Sequence, residues 1–255
     1  MFPIIWQFGH FELRSYGVLF ALSFLVAVWL AGREAARKGL DPHLIHDFAF
    51  YALIGGIIGA RVYFVLFSDP LHYLENPWEI LAIWRGGIGV IGSLIGGFLI
   101  AIWFAKKKGI PLLKLADVLA PAIPLGQALG QFACLANGDS YGKPTDLPWA
   151  ITYTDPRSMA PLNVPLHPIE FYEMGAYLAV FLVVWMTRKR FQVDGFSFLT
   201  YLAAFGVARF FMEYFRGQPA IFAGGIPAAQ VFGAVMVLAA LLSFLWLRNR
   251  RSAKA

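Results

Sequence analysis

The chain has 255 residues, of which 59% are hydrophobic and only 14% charged, with a formal net charge of +6. Soluble globular chains carry about 25% charged residues, so this deficit, with a mean hydropathy of +0.63, excludes an ordinary soluble domain and argues for an integral membrane protein. The basic excess calls for no nucleic acid, because its lysines and arginines gather in short runs beside apolar segments, as membrane topology requires.

A helix needs about 20 mostly apolar residues to cross a bilayer. The first 14 residues lack the basic region of a cleavable signal peptide, so the first apolar segment, Ser15 to Gly32, reads as a retained span. A second span runs from about Phe48 to Phe67 and is interrupted only by Arg61. Gly86 to Ala105 gives a glycine-rich third, and Val118 to Gly138 a fourth with Pro121 and Pro124 near its start. Prolines are tolerated there because neighbouring helices satisfy the freed carbonyls. Pro168 to Thr187 is the fifth, Gly195 to Phe215 the sixth and Ala228 to Leu247 the seventh. The fold class expected is therefore all-α, a seven-helix integral membrane protein forming a single domain over residues 1–255.

Charge sets the orientation. Arg33, Arg37 and Lys38 follow the first span, Lys106 to Lys108 the third, Arg188 to Arg190 the fifth, and Arg248, Arg250, Arg251 and Lys254 the seventh. Alternate boundaries carry Asp69, Glu75, Glu79, Asp139, Asp146 and Asp155 instead. The positive-inside rule then places the N-terminus outside and the C-terminus in the cytoplasm. The loop 139–166 and the segment Asp69–Arg85 face outward, while His43 and His46 fall in a solvated cytoplasmic loop.

The stretch from Gln127 to Trp149 couples a span to that outward loop. Gln127, Gln131, Cys134 and Gly138 share one helical face, and Asn137, Gly138 and Asp139 end the helix. Lys143 to Pro148 follows as irregular, turn-rich chain. In spans two and three, Gly55, Gly56 and Gly59 and Gly86, Gly87, Gly89, Gly92, Gly96 and Gly97 read chiefly as close helix packing through small residues. They also leave room for a ligand against the backbone.

Ionisable groups inside a membrane are costly and mark functional hypotheses. Arg14 and Tyr16 stand at the end of span one, and Arg61 lies within span two. His167, Glu170 and Glu173 open span five on broadly one face. Arg209, Glu213 and Arg216 line one stripe of span six. Ion pairs that merely fix helix packing are one reading. The other is a phosphate site, because the planar arginine fork donates two parallel hydrogen bonds to phosphate, and a lipid head group is the phosphate available at that depth. No Ser-His-Asp order and no histidine pair at metal-ligand spacing is present, and His10, His43, His46, His72 and His167 are the only histidines. The single cysteine, Cys134, excludes an intramolecular disulfide and a cysteine metal cluster. It reads as a small buried hydrophobe. No metal or cofactor is expected.

Over nearly its whole length the chain resembles the bacterial prolipoprotein diacylglyceryl transferase family. Arg14-Ser15-Tyr16-Gly17 is similar to that family's R-x-Y-G, and Gly59-Ala60-Arg61-Val62-Tyr63 to its G-A-R-x-Y. Leu129 to Gly142 is similar to G-R-x-G-N-F-x-N-G-E-x-x-G, and Lys143 to Ala150 to a variant continuation. His167 to Glu173 is similar to H-P-x-Q-L-Y-E, and Phe205 to Arg216 to Y-G-x-x-R-x-x-x-E-F-x-R. The departures are specific. Gln131 stands at the motif arginine, Cys134 at an asparagine, Asp139 at the glutamate, Glu170 at the glutamine, Phe205 at the tyrosine, and Ile91 at a histidine of the glycine-rich span.

The resemblance implies an enzyme of the bacterial cytoplasmic (inner) membrane. Phosphatidylglycerol would give its diacylglyceryl group to the thiol of a lipobox cysteine in a preprolipoprotein, forming a thioether and releasing glycerol 1-phosphate. The nucleophile belongs to the substrate, so no catalytic serine or cysteine is needed. The resemblance implies Arg209 and Glu213 as catalytic residues, and with Ile91 in place of the motif histidine, His167 or Glu170 is the expected substitute proton acceptor. Implied substrate contacts are Tyr16, Arg61, Gln131, Asn137, Gly138, Asp139, Gly142 and Arg216. The losses at Ile91 and Gln131 keep open a catalytically weakened paralogue that binds phospholipid or precursor. A small transporter is a further class, but no polar path crosses the uncharged third and seventh spans.

Overall fold

The computed structural model describes residues 4–8, 11–68, 70–83, 86–87, 89–190, 193–217 and 225–252. His10, Asp69, Arg85 and Lys254, which figure in the sequence reading, lie outside the described residues. The chain packs as two compact units, one of residues 1–31 and 116–255 and the other of residues 32–115.

Six described helices are long and apolar enough to span a membrane, and the count is seven if a bent pair is one span. In the larger unit a short antiparallel hairpin, β1 (Ile4–Phe8) and β2 (Phe11–Arg14), leads into α1 (Ser15–Arg37). The hairpin is too short and irregular to show in a hydropathy pattern. The fourth span is broken rather than continuous. It consists of α5 (Leu112–Leu119) and α6 (Ala122–Asn137), bent by 40°. Pro121 and Pro124 stand at the break, where the missing N–H groups interrupt the helical ladder. Next come α7 (Ile169–Thr187), α8 (Phe196–Met212) with a 3-10 turn at Glu213–Phe215, and α9 (Ala228–Ser252). Tyr177, Phe205 and Tyr201 stack in series, with centroid separations of 5.6 and 5.5 Å, and join α7 to α8. The Tyr201 hydroxyl donates to Gln127 of α6 at 3.3 Å. Buried Asp117 of α5 accepts from the backbone N–H groups of Gly195 at 3.0 Å and Phe198 at 2.9 Å. It thereby caps the N-terminus of α8 with a negative charge where the helix dipole is positive.

The loop 139–166, expected to be irregular, carries its own small core. Strands β3 (Ile151–Thr152) and β4 (Pro165–Leu166) pair antiparallel. Tyr153, Ala160 and Leu166 are buried, with Tyr141, Ile151 and Val164 packed against them. The turn-rich composition hides this core because its apolar residues have no periodic spacing.

The smaller unit is built on α2 (His43–Phe67) and α4 (Val90–Lys108), with α3 (Pro70–Glu75) and a 3-10 turn at Pro77–Leu81 between them. His43 and His46 sit in the opening turns of α2, not in a loop, and both are exposed. The third span begins at Val90 and not at Gly86, because Gly86 and Gly87 adopt φ of 88° and 73°, outside helical geometry. The lysines of its last turn meet the negative end of the dipole, and Gly109 closes it with φ 65°. Gly59 lies against the Gly92 carbonyl, Gly92 against the Gly59 carbonyl and Gly96 against the Gly55 carbonyl. Any Cβ at these positions would collide with backbone, so the packing reading of the glycines is the one the structure supports. Gly97 faces open space. Overpacking of a close contact typically costs about 1–3 kcal/mol. Gly59→Ile is therefore expected to lower the unfolding midpoint in detergent clearly, while Gly97→Ala leaves it unchanged or slightly higher; equal effects would contradict this packing.

Candidate functional site

The glutamate with most partners in the larger unit is Glu173, one turn into α7, and its side chain is 1% exposed. Its Oε1 accepts from Arg209 Nη1 at 2.8 Å and from Arg216 Nη2 at 2.7 Å and Nε at 3.2 Å. Its Oε2 accepts from Gln131 Nε2 at 3.0 Å. Glu213, also buried, stands 3.4 Å from Arg209 and 3.8 Å from Arg216. Two carboxylates and two guanidiniums thus balance within one cluster fed by α6, α7 and the end of α8. The arginines are not enclosed, since their side chains are 20% and 28% exposed. Arg216 Nη1 makes no hydrogen bond among the described residues. The sequence reading set Glu173 on the face of span five but gave it no role. Its spacing of three residues from Glu170 within a span was the available signal.

The segment Tyr141–Thr145 seats this cluster. On one side Lys143 N–H donates to the Phe215 carbonyl and Gly217 N–H to the Tyr141 carbonyl, each at 2.9 Å. On the other, His167 N–H donates to the Lys143 carbonyl at 2.9 Å and Thr145 N–H to the Pro165 carbonyl at 3.0 Å. Gly142 pairs with Arg216 and lies directly against the backbone and Cβ of His167. A side chain there would force apart the chains carrying Arg216 and His167, so Gly142 acts through backbone approach.

The predicted residues divide around this frame. His167 is half-buried, with its ring against Phe215 at 5.4 Å and its Nδ1 3.3 Å from the Tyr172 hydroxyl. That hydroxyl also accepts from Trp149 Nε1 at 2.7 Å. Glu170 is wholly buried, and its Oε1 accepts from the Tyr153 hydroxyl at 2.6 Å, while Oε2 has no partner among the described residues. It ties the loop to α7. Gly138, with φ 66°, ends α6 by donating to the Cys134 carbonyl at 2.7 Å. Asn137 donates to Asp139 at 3.2 Å at the exposed surface. Tyr16 stacks on Phe20 one turn along α1, at 6.0 Å between ring centroids, and lies within electrostatic reach of Cys134 and Asp139.

Arg61 lies in the smaller unit. Nε donates to the Ile80 carbonyl at 2.9 Å, Nη1 to Gly86 and Gly87 at 2.7 and 2.8 Å, and Nη2 to the Glu79 carbonyl. The guanidinium also lies over the Tyr73 ring, 5.2 Å from its centroid. Four of its five N–H groups therefore hold backbone, and the left-handed glycines turn their carbonyls toward it. Arg61 thereby holds the backbone of Glu79, Ile80, Gly86 and Gly87. Sequence shows an arginine in a span but not the carbonyls that satisfy it. Among the described residues no group of three metal-ligating side chains occurs.

Tyr153 was not anticipated, since nothing in its sequence surroundings separates it from other loop aromatics. Burial first, then its hydrogen bond to Glu170, push its hydroxyl pKa above the ordinary value. A raised folded-state pKa means this contribution is intact below about pH 10 and is lost as pH rises toward the folded value. At the loop surface, hydrogen bonds from Arg157 hold the Asp155 carboxyl at about 2. Leaving a buried acceptor unpaired costs about 1–3 kcal/mol. Tyr153→Phe is accordingly expected to speed tryptic cleavage within 139–166 several-fold in limited proteolysis; an unchanged rate would show that Glu170 does not hold the loop.

Comparison with known proteins identifies the family. Residues 3–246 match the family model of prolipoprotein diacylglyceryl transferase. The chain is similar to the phosphatidylglycerol–prolipoprotein diacylglyceryl transferase of Bordetella avium (strain 197N), with 34% identity covering 99% of this chain and 96% of the relative. It is also similar to the proteins of that name from Geobacter sulfurreducens, with 34% identity over 98% and 96%, and Trichormus variabilis, with 35% over 98% and 90%. With its six or seven membrane-length helices, the chain is a multi-pass membrane protein and belongs to the prolipoprotein diacylglyceryl transferase family.

Proposed function

We propose that the protein transfers the diacylglyceryl group of phosphatidylglycerol to the thiol of the lipobox cysteine of a prolipoprotein, in the bacterial inner membrane. The sulfur attacks the glyceryl carbon bound to the phosphate oxygen. That C–O bond breaks, a thioether forms, and glycerol 1-phosphate leaves with the electron pair. The thiol proton passes to a base. Membrane lipids surround the protein. The basic helix boundaries support an N-terminus outside and a C-terminus in the cytoplasm, with the loop 139–166 and the reaction toward the outer half.

The observation that carries this reading is the pair Arg209 and Arg216, held on buried Glu173 and Glu213 with their own outer edges open. Guanidinium edges fixed in advance stabilise the charge that grows on a departing phosphate without reorganising at that moment. The nucleophile comes from the precursor, which suits a site whose own cysteine, Cys134, forms part of helix α6. His167 is the base that suits the geometry, being half-buried on the same seam as Arg216, whereas Glu170 is enclosed. Arg61 acts by positioning its loop. Tyr16, Asn137, Gly138 and Asp139 line the loop end of α1 and α6, where the precursor would approach.

A second reading, a paralogue that binds lipid or precursor without turnover, draws on two positions. Gln131 and Ile91 carry no charge where the family motif has arginine and histidine, and Ile91 is 51% exposed. Purified protein incubated with labelled phosphatidylglycerol and a lipobox peptide separates the two. Thioether-linked lipid on the peptide and released glycerol phosphate are expected, lost in Arg209→Ala and reduced about 10²–10⁴-fold in His167→Ala with lipid binding retained. No product above the Arg209→Ala control would establish the binding reading instead.

A further inference from the structure

The smaller unit carries a groove of about 380 Å³ where α4 ends and α5 begins. Ile102, Ile110, Pro111 and Leu112 give it apolar walls, and Lys106 is the charged member of its lining. The local sequence builds this shape. Gly109 takes a left-handed turn, and Ile110 N–H returns to the Ala105 carbonyl at 2.9 Å. Pro111 cannot continue α4. The chain therefore leaves the helix sideways, and Ile110 to Leu112 share one groove with Ile102, two turns earlier.

Three lysines close α4, and two of them are engaged. Lys107 Nζ lies 4.7 Å from the centroid of the Trp103 ring. Lys108 Nζ stands 3.5 Å from Asp47 and lies over the Phe104 ring, 5.8 Å from its centroid. Lys106 is exposed and makes no hydrogen bond, ion pair or ring contact among the described residues. Beside it Trp103 packs edge-on against Tyr51 of α2, 5.2 Å between centroids, and both rings are partly exposed. Indole and phenol rings near the end of an apolar helix mark head-group depth. The groove walls thus meet hydrocarbon, while the Lys106 stem carries its ammonium to the head-group layer. A soluble anion would leave the apolar walls uncovered. A zwitterionic lipid would bring an ammonium beside three lysines. We infer that this groove is a binding site for one acidic phospholipid, its phosphate on Lys106 and an acyl chain against Ile102 and Ile110, in the leaflet that the basic helix boundaries assign to the cytoplasm. The site uses no residue of the proposed catalytic cluster.

The test asks which lipid occupies the groove. Full-length protein is placed in phosphatidylcholine nanodiscs holding a small fraction of a lipid with a diazirine in its acyl chain. That lipid is either phosphatidylmethanol, which is acidic, or phosphatidylcholine. After irradiation, peptide mass spectrometry measures the adducts within residues 102–112. About fivefold more adducts from phosphatidylmethanol are expected in the wild-type protein. Lys106→Gln is expected to bring that ratio close to one. Lys107→Gln, which removes the same charge from a lysine held on Trp103, is expected to leave most of it. Both lysines are exposed at a helix end, so neither change removes a buried contact, and the wild-type comparison needs no variant. Equal adducts from the two lipids would overturn the inference. Equal falls in the two variants would also overturn it, showing diffuse surface charge instead of a site. No adduct in 102–112 from either lipid would overturn it and leave the groove to another occupant.

Discussion

A carboxylate sealed inside an apolar bundle has to be neutralised, and Glu173 meets that demand with three partners from two stretches of chain. Removing an ion from water costs several kcal/mol even after relaxation. Glu173, 1% exposed, is compensated by Arg209 from α8, Arg216 from just beyond it and Gln131 from α6. Because the partners come from α6 and from α8 with the turn that follows it, satisfying one charge on α7 fixes the spacing of these segments. The remaining donors of the two arginines are then aimed by the same bonds that stabilise the fold. Structural pairing of Arg209 and Arg216 is shown by these contacts, and the proposed phosphate site would use the edges that the pairing leaves open.

The backbone seam at Tyr141–Thr145 carries this order outward. It joins the chain after α8 on one side and the entry to α7 on the other. Gly142 permits that approach because it has no side chain. The loop 139–166 is consequently part of the site's foundation. Its buried Tyr153 reaches Glu170, one turn before Glu173 on the same helix. A disturbance of the loop core would reach the arginines through α7.

Much of this was legible in the sequence, for physical reasons. Spans declare themselves because a bilayer demands length and apolarity, and the glycine faces of α2 and α4 because only glycine allows backbone contact. The charged stripe of α8 was visible because ionisable groups are rare in such segments. Other features were hidden. The break between α5 and α6 has the composition of one continuous span. The backbone partners of Arg61 were hidden because the four carbonyls that hold it belong to chain 18 to 26 residues away. The enclosure of Glu170 was hidden because its partner is Tyr153, across a loop without periodicity. Glu173 was seen but not ranked, since nothing local announces that three long side chains converge on it.

The dependence of the cluster on Glu173 is most directly measured by a double-mutant cycle. Equilibrium unfolding in mixed micelles would compare wild type, Glu173→Gln, Arg216→Met and the double variant. Breaking a buried pair from one side costs about 3–5 kcal/mol, and partners in one network couple by roughly 0.5–3 kcal/mol. Single losses of that size with a double variant much less destabilised than their sum are expected. Small, additive losses would mean that Glu173 does not organise the arginines.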